Sequence, residues 1–502
     1  MGVPPARAGR TGTPPARRGT PPARRAAAAA GAAARGGRQA DPARRAACDV
    51  LRAVAERGIT GRDAALATEL TYGTLRSRGT YDAILAACSD RDLAVIDGPV
   101  LEVLRLGAHQ LLATRIQPHA AVATSVDLAR YAAGPRPAGF VNAVLRRVAR
   151  ADLQAWLQRV APSREQDLVG HLAIRYSHPR WVVTALREAL GEGGGGGGGG
   201  GGGEGVRGVE GTQREGALAE TEAALAADGA PPATTLCAVP GLADTAELVA
   251  AGGVPGRWSP YAAYLMAGDP AAVAAVSQRR AAVQDEASQL AALALARAEI
   301  TGTDSRWLDM CAGPGGKARL LAGLARSRDA RLLATDLRFH RALLVKNAVR
   351  ASGTAGVAVA DGAAPGWRLA AFDRVLADVP CSGLGALRRR PDARWRRSPE
   401  DVAELAVLQE RLLTVALDSA RPGGIVAYVT CSPHLSETRD VVASVLASRR
   451  DVLLLDAPAV LSEVPGLRCP EPHGRYAQFW PHRHGTDAIF LALLRRTGGD
   501  GR

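Results

Sequence analysis

Aromatic residues are scarce in this chain of 502 residues, with Phe, Trp and Tyr together making up only 4% of it. An interior so poor in rings must be filled by Ala, Val and Leu, which suits helices packed on a parallel sheet. No run of 18 or more apolar residues occurs, and this argues against a helical membrane span. The amino-terminal stretch MGVPPARAGR lacks the apolar core of a secretion signal. The seven cysteines (Cys48, Cys88, Cys237, Cys311, Cys381, Cys431 and Cys469) contain no CxxC pair, so they read as reduced thiols in a cytoplasmic protein.

Positive charge is present in excess but unevenly spread. The formal net charge is +14, and residues 1–45, with ten arginines and one aspartate, hold +9 of it. The rest of the chain is only mildly basic. PPAR recurs at 4–7, 14–17 and 21–24 in a segment with almost nothing to bury, so residues 1–42 are expected to form a disordered basic tail with nonspecific attraction to phosphate backbones.

From Ala43 to about residue 152 the apolar positions recur at helical spacing, as in ATELTYGTLRSRGTYDAILAAC and VLEVLRLGAHQLLATR, and predict an all-helical domain. Residues 153–220 read as a helical connector interrupted by an unbroken glycine run, 193–203, that reads as a flexible linker. A small mixed region spans 221–298. From 299 to 496 strands and helices alternate: RWLDM, RLLATDL, VAVAD, DRVLADV, GGIVAYVT, DVLLLD and DAIFLALL are strand-like, with helices between most of them. That alternation predicts an α/β fold with a parallel, doubly wound, Rossmann-like sheet.

The turn LDMCAGPGGKA places Gly313, Gly315 and Gly316 between a strand and a helix expected to begin near Lys317. Glycines there allow a tight turn and close approach of backbone N–H groups to a ligand. A Walker loop is disfavoured, because Cys311 stands where it needs glycine and Ala318 where it needs Ser or Thr. Gly313, Gly315 and Ala318 formally satisfy a dinucleotide fingerprint, a weak match. Asp336, Asp361 and Asp378 close three successive strands, where a carboxylate can meet ribose hydroxyls or a base amine.

Two strand-like runs end in cysteine, DRVLADVPCSG at Cys381 and GGIVAYVTCSP at Cys431. A thiol at the carboxyl edge of a sheet lies where open α/β folds bind ligands, and two thiols suggest a nucleophile with a helper. Carbon 5 of a pyrimidine is a poor nucleophile; adding a thiolate to carbon 6 creates an enamine whose carbon 5 can attack a sulfonium methyl group. LDMCAGPGGKA, DRVLADVPCSGLG and VTCSPHLSE resemble the motifs of the Sun-type RNA cytosine methyltransferases, in particular the bacterial RsmB group.

The resemblance runs from about Ala43 to Leu494, and LATELTYGTLR, LRLGAHQLL and FVNAVLRRV extend it to a NusB-like RNA-binding domain over 43–152. It implies an rRNA (cytosine-C5) methyltransferase that uses S-adenosyl-L-methionine to make 5-methylcytosine in 16S rRNA, free or in an assembly intermediate. Cys431 would be the nucleophile, Cys381 its helper in product release, and Asp378 a contact to the cytosine ring. The cofactor site would comprise Cys311, Ala312, Gly313, Pro314, Gly315, Gly316, Lys317, Asp336, Asp361 and Asp378. Residues 221–298 would contact RNA, although LCAVPG at 236–241 replaces the Arg-Val-Asn signature usual there. The chain is expected to act as a monomer, without a metal or a membrane. A catalytically silent RNA-binding assembly factor is the alternative, and a nicotinamide-dependent oxidoreductase would leave both thiols unexplained.

Two further groups stand out. The run 387–397, LRRRPDARWRR, holds six arginines just after Cys381 and is expected to contact RNA. Cys469, His473, His482 and His484 fit no common metal spacing and read as loop residues.

Overall fold

A computed structural model describes residues 61–191, 204–468 and 474–498. The basic tail 1–42, the glycine run 193–203, Cys48, Cys469 and His473 lie outside the described residues.

Residues 61–189 form a succession of short helices from Gly61–Arg76 to Arg180–Ala189. Tyr81, Ile84, Leu85, Leu104, Val141 and Leu145 close their core, and Cys88 is a buried member of it, as a small hydrophobe would be. A longer helix, Glu204–Asp228, leads into a four-stranded antiparallel sheet of β1 (Thr234–Ala238), β2 (Gly253–Pro255), β3 (Ala262–Leu265) and β4 (Ala281–Val283), in the order β2-β3-β1-β4. The LCAVPG segment supplies part of β1.

The large sheet comprises β5 (Arg306–Asp309), β6 (Arg331–Asp336), β7 (Ala355–Val359), β8 (Phe372–Asp378), β9 (Ala420–Thr430), β10 (Val452–Leu454), β11 (Ala477–Gln478) and β12 (Phe490–Arg496). Its main path runs β10-β12-β9-β8-β5-β6-β7, and β11 pairs with β12. The strands β5 to β9 are parallel, as the β-α alternation predicts. The carboxyl-terminal strands depart from that expectation, because β12 returns antiparallel to β9 and β10 lies antiparallel to β12. Among the described residues between β10 and β12 the chain makes short helical turns and β11, with no long crossover helix of the kind a parallel connection uses.

Helices cover both faces. Glu286–Arg297 and Gly316–Arg326 pack on one side through alanines and leucines such as Leu290, Leu293, Leu320 and Leu321. Pro399–Ser419 and Arg439–Ser448 pack on the other through Leu412, Leu413, Leu417, Val441 and Val442. The strand β8 is therefore buried along nearly its whole length and reads as an apolar run interrupted only by Asp373 and Arg374. Both are compensated: Asp373 accepts from Thr303, from the Ser305 and Arg306 amides and from Arg421, and Arg374 pairs with Asp304.

The arginine run corrects the reading of the sequence. Arg394 is fully buried, and its guanidinium donates to the carbonyls of Ser177 (3.0 Å), Asp228 (3.1 Å) and, more weakly, Arg76 (3.4 Å). Two of these carbonyls end the helices Gly61–Arg76 and Glu204–Asp228, and the third lies two residues past Leu168–Arg175. One cation thus serves the negative ends of three helices. Arg388 and Arg389 pair with the buried Asp285 and Asp487, and Arg396 with Asp392. Arg397 donates to the Ser382 carbonyl, and of the six only Arg390 is exposed. The run is chiefly a joint between the helical region and the large sheet. Sequence alone shows the charges but not the acids and helix ends that consume them. Replacing Arg394 with Met keeps much of the volume and removes every donor, so a loss of roughly 3 kcal/mol is expected, read as a lower urea midpoint.

Candidate active site

The site is assembled by the register of two neighbouring parallel strands. In the pairing of β8 with β9, Asp378 lies beside Val429. Three residues beyond Asp378 and two beyond Val429 the chain reaches Cys381 and Cys431, so cysteines fifty positions apart meet at one rim, with sulfur atoms 3.2 Å apart. The backbone ties the two loops together, since the Gly385 amide donates to the Cys431 carbonyl at 2.9 Å. A side chain at Gly385 would collide with the Ala488 carbonyl, which fixes glycine there.

The sulfurs are not equivalent. The hydrogen bond from Cys381 holds the Cys431 thiol below its ordinary range, with Lys317 helping and burial and Asp378 opposing. The same bond, burial and the Cys431 charge push Cys381 well above that range. The surroundings thus favour the thiolate at Cys431 and the thiol at Cys381. Cys311, in the turn, is pushed up by burial and by Asp309, Asp378 and Asp336, and stays a thiol.

Lys317 lies between the turn and the thiols. It is one of two lysines among the 63 basic residues of the chain, the other being Lys346. Its Nζ donates to Asp378 Oδ2 at 2.9 Å, and Asp378, Cys431 and Asp309 hold its charge against burial. Sequence reading places Lys317 with the cofactor; the structure also sets it beside Asp378 and within electrostatic reach of Cys431. Its rarity in an arginine-dominated chain was the available signal. Asp309, one residue before Met310, is fully buried, and its carboxyl is raised well above the usual range by burial first and by Asp378 next. Nothing in the sequence pattern marked it.

A buried carboxylate anchors the thiol loops from behind. Glu437 accepts from the Ser382 amide (2.7 Å), the Ser382 hydroxyl (2.5 Å) and Gln409 Nε2 (3.2 Å). Gln409 also donates to the Pro380 carbonyl at 2.9 Å, and the Ser382 hydroxyl lies 3.2 Å from that of Ser432. The residues on either side of Cys381 and the one after Cys431 thus share one network. Glu437 lies within a motif noted for its cysteine, and its own role was missed.

The glycine turn runs from Met310 to Gly315, with Gly316–Arg326 starting at its end. Gly315 has φ +112°, and a Cβ there would stand 2.6 Å from that of Ala348. A Cβ on Gly313 would stand 2.3 Å from Asp336 Oδ2, which accepts from the Gly313 amide at 3.2 Å. Arg341 closes the turn through the Gly313 carbonyl and approaches Asp336 to 3.5 Å. Asp361 is exposed just past β7 and accepts from the Ala363 amide, a turn role that leaves its second oxygen free of any hydrogen bond among the described residues. The predicted Cys311–Lys317 stretch, Asp336, Asp361 and Asp378 therefore follow the carboxyl ends of adjacent strands, where a nucleoside-bearing donor fits: a glycine cradle at a helix start with carboxylates beside it.

His482 and His484 take other partners than a metal. His482 Nε2 bonds Glu220, while His484 accepts from the Trp480 amide at Nδ1 and donates from Nε2 to the Arg468 carbonyl. In the helical region Arg147 is engaged by Asp90 and the Cys88 carbonyl, and Arg146 by Asn142.

Comparison with known proteins places this geometry. Residues 292–495 match the family described as 16S rRNA methyltransferase RsmB/F, and residues 22–150 match the NusB family. The chain is 47% identical over 484 residues to a Mycobacterium tuberculosis (strain H37Rv) protein provisionally described as a methyltransferase, covering 91% of this chain and 97% of that one. It is 30% identical over 443 residues to ribosomal RNA small subunit methyltransferase B of Pseudomonas putida, covering 87% and 91% respectively. The crystal structure of PH0851 superposes with a TM-score of 0.69 at 20% identity, over 89% of this chain and 93% of that one, and shares the fold. The methyl donor is S-adenosylmethionine. A NusB-family region joined to a methyltransferase sheet accounts for most of the molecule, and the chain belongs to the RsmB/F family of rRNA methyltransferases.

Proposed function

We propose that this enzyme methylates carbon 5 of a cytosine in 16S rRNA through a covalent adduct at Cys431. The observation that carries the reading is the meeting of Cys381 and Cys431 at one rim of the sheet, their sulfurs 3.2 Å apart beside the Lys317–Asp378 pair, in surroundings that lower the Cys431 pKa and raise that of Cys381. Bound S-adenosylmethionine would supply an electrophilic methyl group, held by Cys311 to Lys317 with Asp336 and Asp361. Cys431 as thiolate adds to carbon 6 and makes carbon 5 nucleophilic. Asp378, oriented by Lys317, faces the exocyclic amine and N3 of the ring; its carboxylate accepts from the amine, and the Lys317 ammonium beside it offsets the negative charge that spreads toward N3 as the sulfur adds. After carbon 5 has taken the methyl group, a water molecule removes its remaining proton, that C–H electron pair restores the carbon 5–carbon 6 double bond as the carbon 6–sulfur bond breaks, and Cys381 steadies the departing Cys431 thiolate through the hydrogen bond it already makes. Glu437 holds both loops so that one ring can meet both thiols.

Thiols at a strand edge cannot reach a base inside a helix, so the target is unpaired or extruded, in free rRNA or an assembly intermediate. Bisulfite sequencing of 16S rRNA from cells with and without the gene tests the reading. One cytosine is expected to lose its protection when the gene is removed and to regain it with the wild-type gene. Identical maps from the two cell lines, with rRNA still bound by the protein, would instead support the silent assembly factor.

A further inference from the structure

A second feature of the surface points to where the RNA backbone lies. Three of the four buried arginines among the described residues, Arg105, Arg374 and Arg388, are matched to acids. Around a cavity of about 200 Å³ lined by Arg257, Trp258, Gly466, Arg468, Arg483 and His484 the pattern changes. Arg257 and Arg468 are exposed and make no side-chain ion pair with any described residue, and Arg483 spends only its Nε on Glu220, at 2.9 Å.

The segments that carry the three arginines converge on one buried histidine. His484 accepts the Trp480 amide at Nδ1, so Nε2 carries the proton and donates to the Arg468 carbonyl at 2.7 Å. Its own carbonyl accepts from Trp258 Nε1 at 2.8 Å. The Trp258 ring in turn carries the Arg257 guanidinium, 4.2 Å from its centre. Arg483 directly precedes His484. Three cations gathered here with Glu220 as their one acidic partner among the described residues leave positive charge for an external anion.

Its position ties it to the chemistry. Four residues after His484, the Ala488 amide donates to the Gly385 carbonyl, and the Gly385 amide donates to the Cys431 carbonyl. Four residues of chain reach at most roughly 14 Å. We propose that Arg257, Arg468 and Arg483 form an anion site that takes a backbone phosphate of the RNA near the target nucleotide. The proposal rests on RNA being the substrate, and it assigns to these arginines the register of the strand rather than the choice of base.

The test uses the full chain and a fluorescein-labelled, 20-nucleotide single-stranded RNA of mixed sequence, with affinity measured by anisotropy across a salt series. The Arg257→Ala/Arg468→Ala double variant is expected to bind about tenfold more weakly. Its slope of log K against log salt should be shallower by about 0.7, the value for one phosphate on a single strand. Arg257→Lys/Arg468→Lys should recover most of the slope, and S-adenosylmethionine affinity should be unchanged in both variants. An unchanged slope in the alanine variant overturns the site. Loss of inorganic phosphate binding by calorimetry with RNA binding intact overturns it too, in favour of a small-anion site. If the wild-type chain neither binds this RNA nor methylates rRNA, the functional reading fails and this site with it; if the wild type does both and only the slope prediction fails, the functional reading stands.

Discussion

Cys431→Ala is expected to lose methyl transfer by roughly 10⁴-fold or more, because no neighbouring group can replace a nucleophile whose role is to open a covalent route. Cys381→Ala is expected to behave differently. Its thiol is the principal cause of the lowered Cys431 pKa, so the variant forms adduct more slowly. Release is impaired more, because the departing sulfur loses its hydrogen-bond partner 3.2 Å away. A complex of protein and RNA that survives denaturation, and disappears on RNase treatment, should therefore accumulate in Cys381→Ala and be absent from the Cys381→Ala/Cys431→Ala double variant. Gel mobility after denaturation reads both outcomes. Methylation by Cys431→Ala, or an adduct that forms without Cys431, would reverse or remove the assigned roles.

That the two thiols belong together could be read from the sequence because each ends an apolar run, and strands of one parallel sheet share a carboxyl edge. The same logic made the glycine turn and the aspartates after β6, β7 and β8 visible. What the sequence could not supply was pairing between distant segments. The arginines of 387–397 look like an RNA-binding run, yet Arg388 and Arg389 meet Asp285 and Asp487, and Arg394 meets three helix ends; neither kind of partner is close in sequence. Glu437 was hidden for a related reason. Its work is to hold Ser382, 55 positions away, and a short-range motif cannot express that distance. The reversal of β12 was likewise illegible, since an apolar strand reads the same in either direction.

Lys317→Met is expected to reduce methylation by about 10²-fold or more, and its pH signature separates electrostatics from simple disruption. The Lys317 ammonium favours the Cys431 thiolate, and Asp378 opposes it. Removing Lys317 deletes the favourable charge and leaves Asp378 without its 2.9 Å partner. Both changes raise the thiol pKa, so the pH at which Cys431 becomes reactive moves upward, and activity at neutral pH is lost as the thiolate population falls. Asp378→Asn has the opposite sign. It removes a charge that disfavours the thiolate and frees the Lys317 ammonium, so the reactive limb moves downward even though methylation falls through the lost contact to the ring. The rate of iodoacetamide alkylation at Cys431, located by mass spectrometry over a pH series, measures this without RNA or methyl donor. Two limbs displaced to opposite sides of wild type fit a thiolate tuned by this lysine–aspartate pair. Displacement of both to the same side would mean that the loops move when either charge is removed, and Lys317 would then be a scaffold residue whose effect on Cys431 is indirect.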